Sequence, residues 1–476
     1  MAETYMETLL EKNYHENCPG CKVEQMKHSR RGFPLWELFI IWIIVLSTVL
    51  PVSSLFPFLY FMIEDFKITD KEEDIGFYAG FVGCTFMVGR ILTSVVWGVM
   101  ADRYGRKPII LLGTGSVVIF NTLFGLSPNF WMAIITRFFL GSFNGVLGPI
   151  KAFAMEIFRD EYHVLALSNV TASWGVALII GPAIGGFLAQ PAEKYPSLFS
   201  KESIFGKFPY FLPCLAISLF ALVATLISFW IPETLHNHKF DDVSHDESTE
   251  ALEAATHDGK AEGDEESSLL KNWPLISAIT ISCIFALHDM SYTEIFSLWA
   301  NSPREYGGLG YSTADVGSVL TISGFGLLVF QLSLYSYMGR LLGPTKVIRF
   351  SAALAIPILA TYPLIAKLSG FTLSLVLNCA SIIKSALGVS ATTGLYILHN
   401  QAVKQHQRGA ANGLAMTAVS VSKAIGPAAA GALFSWAEKR QDAAFLPGMQ
   451  MIFFILNAIL AIGVALTFKP FLTVAK

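Results

Sequence analysis

Apolar runs about as long as a membrane helix follow one another along nearly the whole chain, separated by short polar loops. A hydrocarbon core of ~30 Å needs about 20 predominantly apolar residues in helical form. On that measure twelve spans are predicted, over residues 36–63, 76–100, 108–127, 130–155, 165–190, 209–231, 273–299, 313–338, 346–366, 371–398, 410–436 and 446–468. The tenth and eleventh are rich in Ser, Ala and Gly. Small residues let backbones approach closely in a bundle, which makes these two central helices rather than lipid-facing ones. The residues before Trp36 are polar, and the run that begins there is too long for the apolar core of a signal peptide. It reads as the first span, leaving a cytosolic tail.

One long polar stretch interrupts the series. Residues 232–272 carry the run HNHKFDDVSHDESTEALEAATHDGKAEGDEESS, acidic and almost devoid of aromatics. Such a segment cannot bury enough apolar area to offset its ordering entropy, so it is expected to be a disordered cytosolic linker. The expected organisation is a tail (1–35), a six-helix half (36–231), the linker (232–272), a second six-helix half (273–468) and a short cytosolic C-terminus (469–476). The fold class is all-α integral membrane, with two pseudo-symmetric halves.

Composition supports this. Of 476 residues, 53% are hydrophobic and only 14% charged, against roughly a quarter charged in soluble domains. Too little polar surface remains to solvate a globule, so lipid must face much of the chain. The net charge of −3 gives no hint of nucleic acid. Six cysteines (18, 21, 84, 214, 283 and 379), four of them in apolar segments, do not form a disulfide framework. Lys and Arg in the short loops set the orientation: Lys27, Arg30 and Arg31, then Arg103, Arg106 and Lys107, then Arg340, Lys346 and Arg349 fall on one side. That side is read as cytosolic, with both termini and the linker.

The halves repeat. DIGFYAGFVG from Asp74 resembles DVGSVLTISG from Asp315, and continuing it lays Gly98 on Gly339. ALSNVTASWGVALIIGPAIGG lies over AANGLAMTAVSVSKAIGPAAAG, with Gly181-Pro182 on Gly426-Pro427. Two duplicated halves around a central site are what alternating access requires.

The loop after span two reads Gly98-Val-Met-Ala-Asp102-Arg103-Tyr-Gly105-Arg106-Lys107. Gly105 permits a tight turn, Asp102 stands where it can cap backbone N–H groups, and the cations can pair with acids on neighbouring helices. This run resembles the cytosolic gating motif of the major facilitator superfamily, which implies an aspartate–arginine latch between halves in the outward-facing state. The second half has Gly339-Arg340-Leu-Leu-Gly343-Pro344 instead, so any latch should be asymmetric. Span five carries Gly175 and then Gly181-Pro182-Ala-Ile-Gly185-Gly186. Gly181 and Gly185 share a helical face that offers a groove, and Pro182 can bend the helix. The pattern resembles the antiporter motif of proton-coupled exporters in the same superfamily.

Ionisable residues inside the bilayer are costly and so are functional candidates. Arg137 in span four matches the superfamily's proton-transfer arginine. Arg90, Lys384 and Lys423 are further cations, Arg90 being read as snorkelling to an interface. The acids are Asp289 and Glu294 in span seven, with His288 beside them, and Glu156 late in span four. Asp289 and Glu294 are candidates for proton coupling or substrate binding, the alternative being anchors at the span's end. In the tail, Cys18-Pro-Gly-Cys21 can chelate a metal but lacks a second pair. His236 and His238, with His245 and His257, sit in an acidic linker that can also be simply solvated. Glu265-Glu-Ser-Ser-Leu269-Leu270 has the form of an acidic dileucine sorting signal. No catalytic pattern such as HExxH or G-x-S-x-G is present, so a non-enzyme without a cofactor is expected.

Taken together, the CPGC tail, EDIGFYAGFVG, WGVMADRYGRKPIILLG, IPETLHNH and FSLWANSPREYGG resemble the plant zinc-induced facilitator-like family. The resemblance implies a proton-coupled antiporter at the vacuolar membrane, or else the plasma membrane. It would export nicotianamine, another metal chelator or a zinc chelate, contributing to zinc and iron homeostasis, or move potassium or auxin. A monomer in the lipid bilayer is the default, and a non-transporting receptor is the remote alternative.

Overall fold

The structure is a computed structural model that describes residues 18–29, 35–159, 162–235, 269–403 and 408–472. Long helices account for each apolar run. Span one is Leu35–Ser53 followed by Leu59–Asp65; span two is Ile75–Tyr104, span three Arg106–Gly125, span four Phe130–Phe143 followed by Leu147–Ile157, span five His163–Leu188 and span six Phe211–Ser228. The second half has spans seven to twelve at Trp273–Asn301, Thr313–Leu342, Pro344–Ile365, Gly370–Gln401, Arg408–Glu438 and Met449–Leu466. Among the described residues eleven of the spans, span four taken whole as Phe130–Ile157, are long and apolar enough to cross a membrane, and within span five Ala172–Leu188 adds a shorter apolar run. Spans ten and eleven satisfy the criterion in spite of their small residues.

Two predicted single helices are broken. In span four the Asn144 side chain leaves its own helix to donate to the Thr48 carbonyl at 3.0 Å, and Gly145 presses on the Trp97 ring. In span one, Pro57 can donate no amide to a continuing helix, and the chain turns through residues 54–58 before Leu59. Gly105 (φ +109°) and Gly343 (φ +73°) make the sharp turns between spans two and three and between eight and nine, backbone that glycine adopts without a Cβ penalty.

The same pairing scheme recurs in each half. Spans one and five, two and four, and three and six pack together, as do seven and eleven, eight and ten, and nine and twelve. The halves meet crosswise, span two on span eleven and span five on span eight. Outward-facing apolar side chains such as Trp131, Leu222, Phe371 and Ile462 remain exposed. In water this would be a large apolar patch, whereas in lipid it is the required surface.

Inter-half contact is tight where glycines replace side chains. A Cβ on Gly80 would come within 2.5 Å of the Pro427 carbonyl, and one on Gly186 within 2.7 Å of the Gly317 Cα. Around these contacts Phe77 N donates to Ser435 Oγ (2.8 Å), Asn301 Nδ2 to Pro57 O (3.2 Å) and Thr321 Oγ1 to Ile179 O (3.2 Å). All lie in the half of the molecule away from the 102–107 loop, here called the far mouth. Towards the near end, the described hydrogen bonds between halves thin to Lys151 Nζ beside Met416 Sδ at 3.7 Å.

Candidate functional site

The near-end loop is organised by an acid that sequence reasoning passed over. Glu233 accepts from the amides of Arg106 (2.9 Å) and Lys107 (3.1 Å), capping the first turn of span three, where unsatisfied N–H groups favour an anion. Gly105 leaves the space its carboxylate occupies. Asp102 therefore does not serve as the cap expected of it; its carboxylate pairs with the Arg106 side chain instead. Arg106 also reaches Glu156 (Nη2 to Oε1, 3.0 Å), to which Thr234 Oγ1 donates, and Lys107 Nζ holds Phe229 O at 2.7 Å. Arg103 lies over the neighbouring Tyr104 ring. Glu156 is thus part of this loop's scaffold rather than an interior acid. Among the described residues these bonds stay on the side of the first half, to which residues 232–235, expected to begin a disordered linker, are fixed through Glu233 and Thr234. Gly98 has open space around it.

Span five divides its glycines between two neighbours. Gly181 and Gly185 press against Ser53 and Ser54 of span one, and Gly186 meets Gly317 of span eight, while Gly175 faces open space. The groove expected from Gly181 and Gly185 is therefore filled by span one, and the inter-half contact belongs to Gly186 and the Pro182 carbonyl, which faces Gly317.

Between the halves lie the charges. Arg137 is 1% exposed, donates to the Pro51 carbonyl at 3.0 Å and lies 5.2 Å from the Phe86 and Phe124 ring centres. Glu294, also 1% exposed, projects from span seven to the other half, where a Cβ on Gly83 would meet its Oε2 at 3.2 Å. Neither carboxylate oxygen has a hydrogen-bond partner among the described residues, and its charge couples to that of Arg137. One turn away, Asp289 accepts from Lys384 Nζ at 2.9 Å, the lysine 3% and the aspartate 62% exposed. Lys384 also sits 3.5 Å over the Tyr292 ring, a cation–π contact, and Tyr292 shares a 2.7 Å hydroxyl bond with Tyr362. Asp289, Lys384, His288, Phe285, Gly388 and Thr392 line a small, partly open cavity of about 20 Å³. His288 is buried, its Nε2 without a partner among the described residues.

Lys423 of span eleven couples electrostatically to Asp289 and to Arg90 of span two, and Arg90 couples to Lys151. Arg90 therefore shares the interior with cations of both halves instead of snorkelling outward. Lys151 was missed in the sequence, although a lysine within the apolar run LGPIKAFAM of span four was the available signal. The interior charges thus fall into two sets, Arg137 with Glu294, and Asp289 with Lys384 and Lys423, the latter chained through Arg90 to Lys151.

In the tail, Cys18 and Cys21 are both buried. The Gly20 amide donates to the Leu235 carbonyl at 3.2 Å, so this helix, Pro19–Ser29, docks beside the chain that leads into His236. His236, His238, His245 and His257 lie outside the described residues, as does the linker from 236 to 268 with the acidic part of its dileucine run; Leu269 and Leu270 themselves begin a short 3-10 turn, Leu269–Lys271. Among the described residues no group of three or more His, Cys, Asp or Glu is placed to hold a metal.

A twelve-span bundle of two repeated halves, meeting crosswise over an interior of buried charge, defines a secondary transporter. The chain belongs to the Major Facilitator Superfamily, whose profile matches residues 41–427. Within it the chain is a member of the zinc-induced facilitator group of plants. It is 72% identical to the protein zinc induced facilitator-like 1 of Arabidopsis thaliana over 99% of each chain. It is 64% identical to zinc induced facilitator 1 of the same plant over the full length of both. Among solved structures it resembles a bacterial homologue of the human lysosomal transporter Spinster in an inward-facing, unoccupied conformation. There the TM-score is 0.69 and the identity 14%, over 92% of this chain and 97% of that one.

Proposed function

We propose that this transporter is a proton-coupled antiporter that exports a small, carboxylate-bearing organic solute from the cytosol. The solute would be a metal chelator such as nicotianamine or its zinc complex, moved at the vacuolar membrane. The observation that carries the reading is the interior charge pattern. Glu294 presents a carboxyl group at the seam between halves that has no hydrogen-bond partner among the described residues and feels the charge of Arg137. A carboxyl that alternately meets a cation and water as the halves rock can load and release a proton. The excess of cations around Asp289 favours a substrate that brings negative charge. The zinc-induced names of the Arabidopsis relatives support a role in zinc homeostasis. With the 102–107 end on the cytosolic side, as its basic residues favour, the closed far mouth corresponds to a cytosol-facing state.

The same cations favour an organic anion such as auxin as the second reading and disfavour free potassium. Flux into proteoliposomes tests both, comparing nicotianamine, its zinc complex, zinc, auxin and potassium under an imposed proton gradient. Glu294→Gln is expected to abolish gradient-driven accumulation while sparing counterflow, and Asp289→Asn to weaken substrate binding. Unchanged gradient dependence in both variants removes these residues from the coupling mechanism. Potassium as the preferred substrate overturns the anion reading.

A further inference from the structure

Two lysines at the far mouth occupy corresponding places in the two repeats. Lys194 follows Pro182 at the same interval at which Lys439 follows Pro427, so each lies just beyond the end of the equivalent helix, span five or span eleven. Each reaches across the crosswise seam to the start of the facing helix. Lys439 pairs with Asp74, the residue before span two. Lys194 donates to Thr313, the first residue of span eight, and to the Gly186 carbonyl at 2.6 Å. Thr313 Oγ1 closes the triangle by donating to Gly186 O at 3.1 Å.

Both anchors adjoin the glycine contacts that let the helices touch. Gly431 meets Gly80 on Lys439's seam, and Gly186 meets Gly317 on Lys194's. The two differ in chemistry. Asp74 is free to give Lys439 a carboxylate, whereas Asp315, its counterpart in the repeat, accepts from Ser312 N (3.0 Å) and Ser312 Oγ (2.6 Å). Lys194 therefore rests on a hydroxyl and a carbonyl, with Asp315 acting on it only through space.

We propose that Lys194 and Lys439 are twin positioning residues that latch the far mouth, a charged latch on the two–eleven seam and a neutral-acceptor latch on the five–eight seam. Both must release before the interior can open to that side. The inference does not depend on which solute is moved. It gives this conformation a restraint at the end opposite the 102–107 loop, whose own bonds here stay on the side of one half.

The test is a distance measurement on the full chain in lipid nanodiscs. Spin labels on an unnatural amino acid keep the six native cysteines. One pair, at Leu198 and Phe445, reports the far mouth; a second, at Trp230 and Leu341, reports the near end. All four are exposed, one of each pair on each half. Lys194→Met and Lys439→Met are each expected to raise the long-distance far-mouth population roughly two- to fivefold, the range expected of an exposed or half-exposed polar pair. The near-end pair should shorten in step. Asp74→Lys alone should open the mouth, and Asp74→Lys with Lys439→Asp should close it again. That rescue is one a merely structural role would not give. Unchanged distributions in the single lysine variants, or a charge swap no better than Asp74→Lys alone, overturn the proposal.

Discussion

At the scale of single residues, position within the bundle decides what a charge does. Asp102 and Glu233 are both acids at the near end, yet Glu233 has the helix N-terminus and Asp102 only a side-chain partner, because Gly105 opens the space beside the amides of Arg106 and Lys107. Gly105→Ala would force a Cβ onto backbone with φ +109° and into the Glu233 carboxylate. A loss of ~1–3 kcal/mol is expected from such strain, read as a lower melting temperature in detergent. Glu233→Gln, which keeps the shape but replaces one accepting oxygen with an NH2 that cannot accept from the backbone amide facing it, should cost ~1–3 kcal/mol. Lys194 gives a pH prediction. Burial lowers its ammonium to about 8, against partial support from Asp315 and Glu193. From about pH 8 to the ordinary lysine range, the unfolded chain therefore binds more protons than the folded one, and stability rises with pH across that window. In thermal melts between pH 7 and 10, the wild type should gain on Lys194→Met as pH increases; a constant gap would contradict the assignment.

At the scale of elements, small residues at the seams set how the halves meet. Gly80 and Gly431, like Gly186 and Gly317, bring backbones together with no side chain between them. Gly80→Leu would push its side chain into the Pro427 carbonyl and the Gly431 Cα. The expected result is a far mouth that cannot close, seen as several-fold faster labelling of Cys84, deeper in span two, by an impermeant thiol reagent added on that side. Mass spectrometry of the Cys84 peptide would read it. The break in span four was not legible in its apolar run, which continues across it; it arises from a partner distant in sequence, the Thr48 carbonyl that captures Asn144, whereas the break in span one has a local cause in Pro57.

At the scale of the whole molecule, the repeat converts one interface into two. The landmarks matched along the sequence, spans two with eight and five with eleven, turn out to be the four helices of the seams, paired as two with eleven and five with eight. Rocking about that crossed contact changes both mouths together, as alternating access requires. The sidedness that accompanies this reading predicts that a label at Arg103→Cys and a protease site within 236–268 will be reached from the same face of sealed vesicles. Reaction from opposite faces would reverse the direction of transport assigned above.

The order of apolar and polar residues by itself determined that lipid surrounds this chain, that it crosses about twelve times, and that its halves are copies. The first two follow from the energetics of burying a continuous peptide helix in hydrocarbon, which depends on local composition alone, and the third from landmark residues that recur at matching intervals. The motif residues and the intramembrane acids were also visible there, because charges are rare in such segments. Only the tertiary structure decided which charges share a space: Glu294 with Arg137, Asp289 with Lys384, Arg90 with Lys151 and Lys423. Those partners are brought together by helix packing between and within halves, and Coulomb interactions depend on separation in space, which spacing along the chain does not encode.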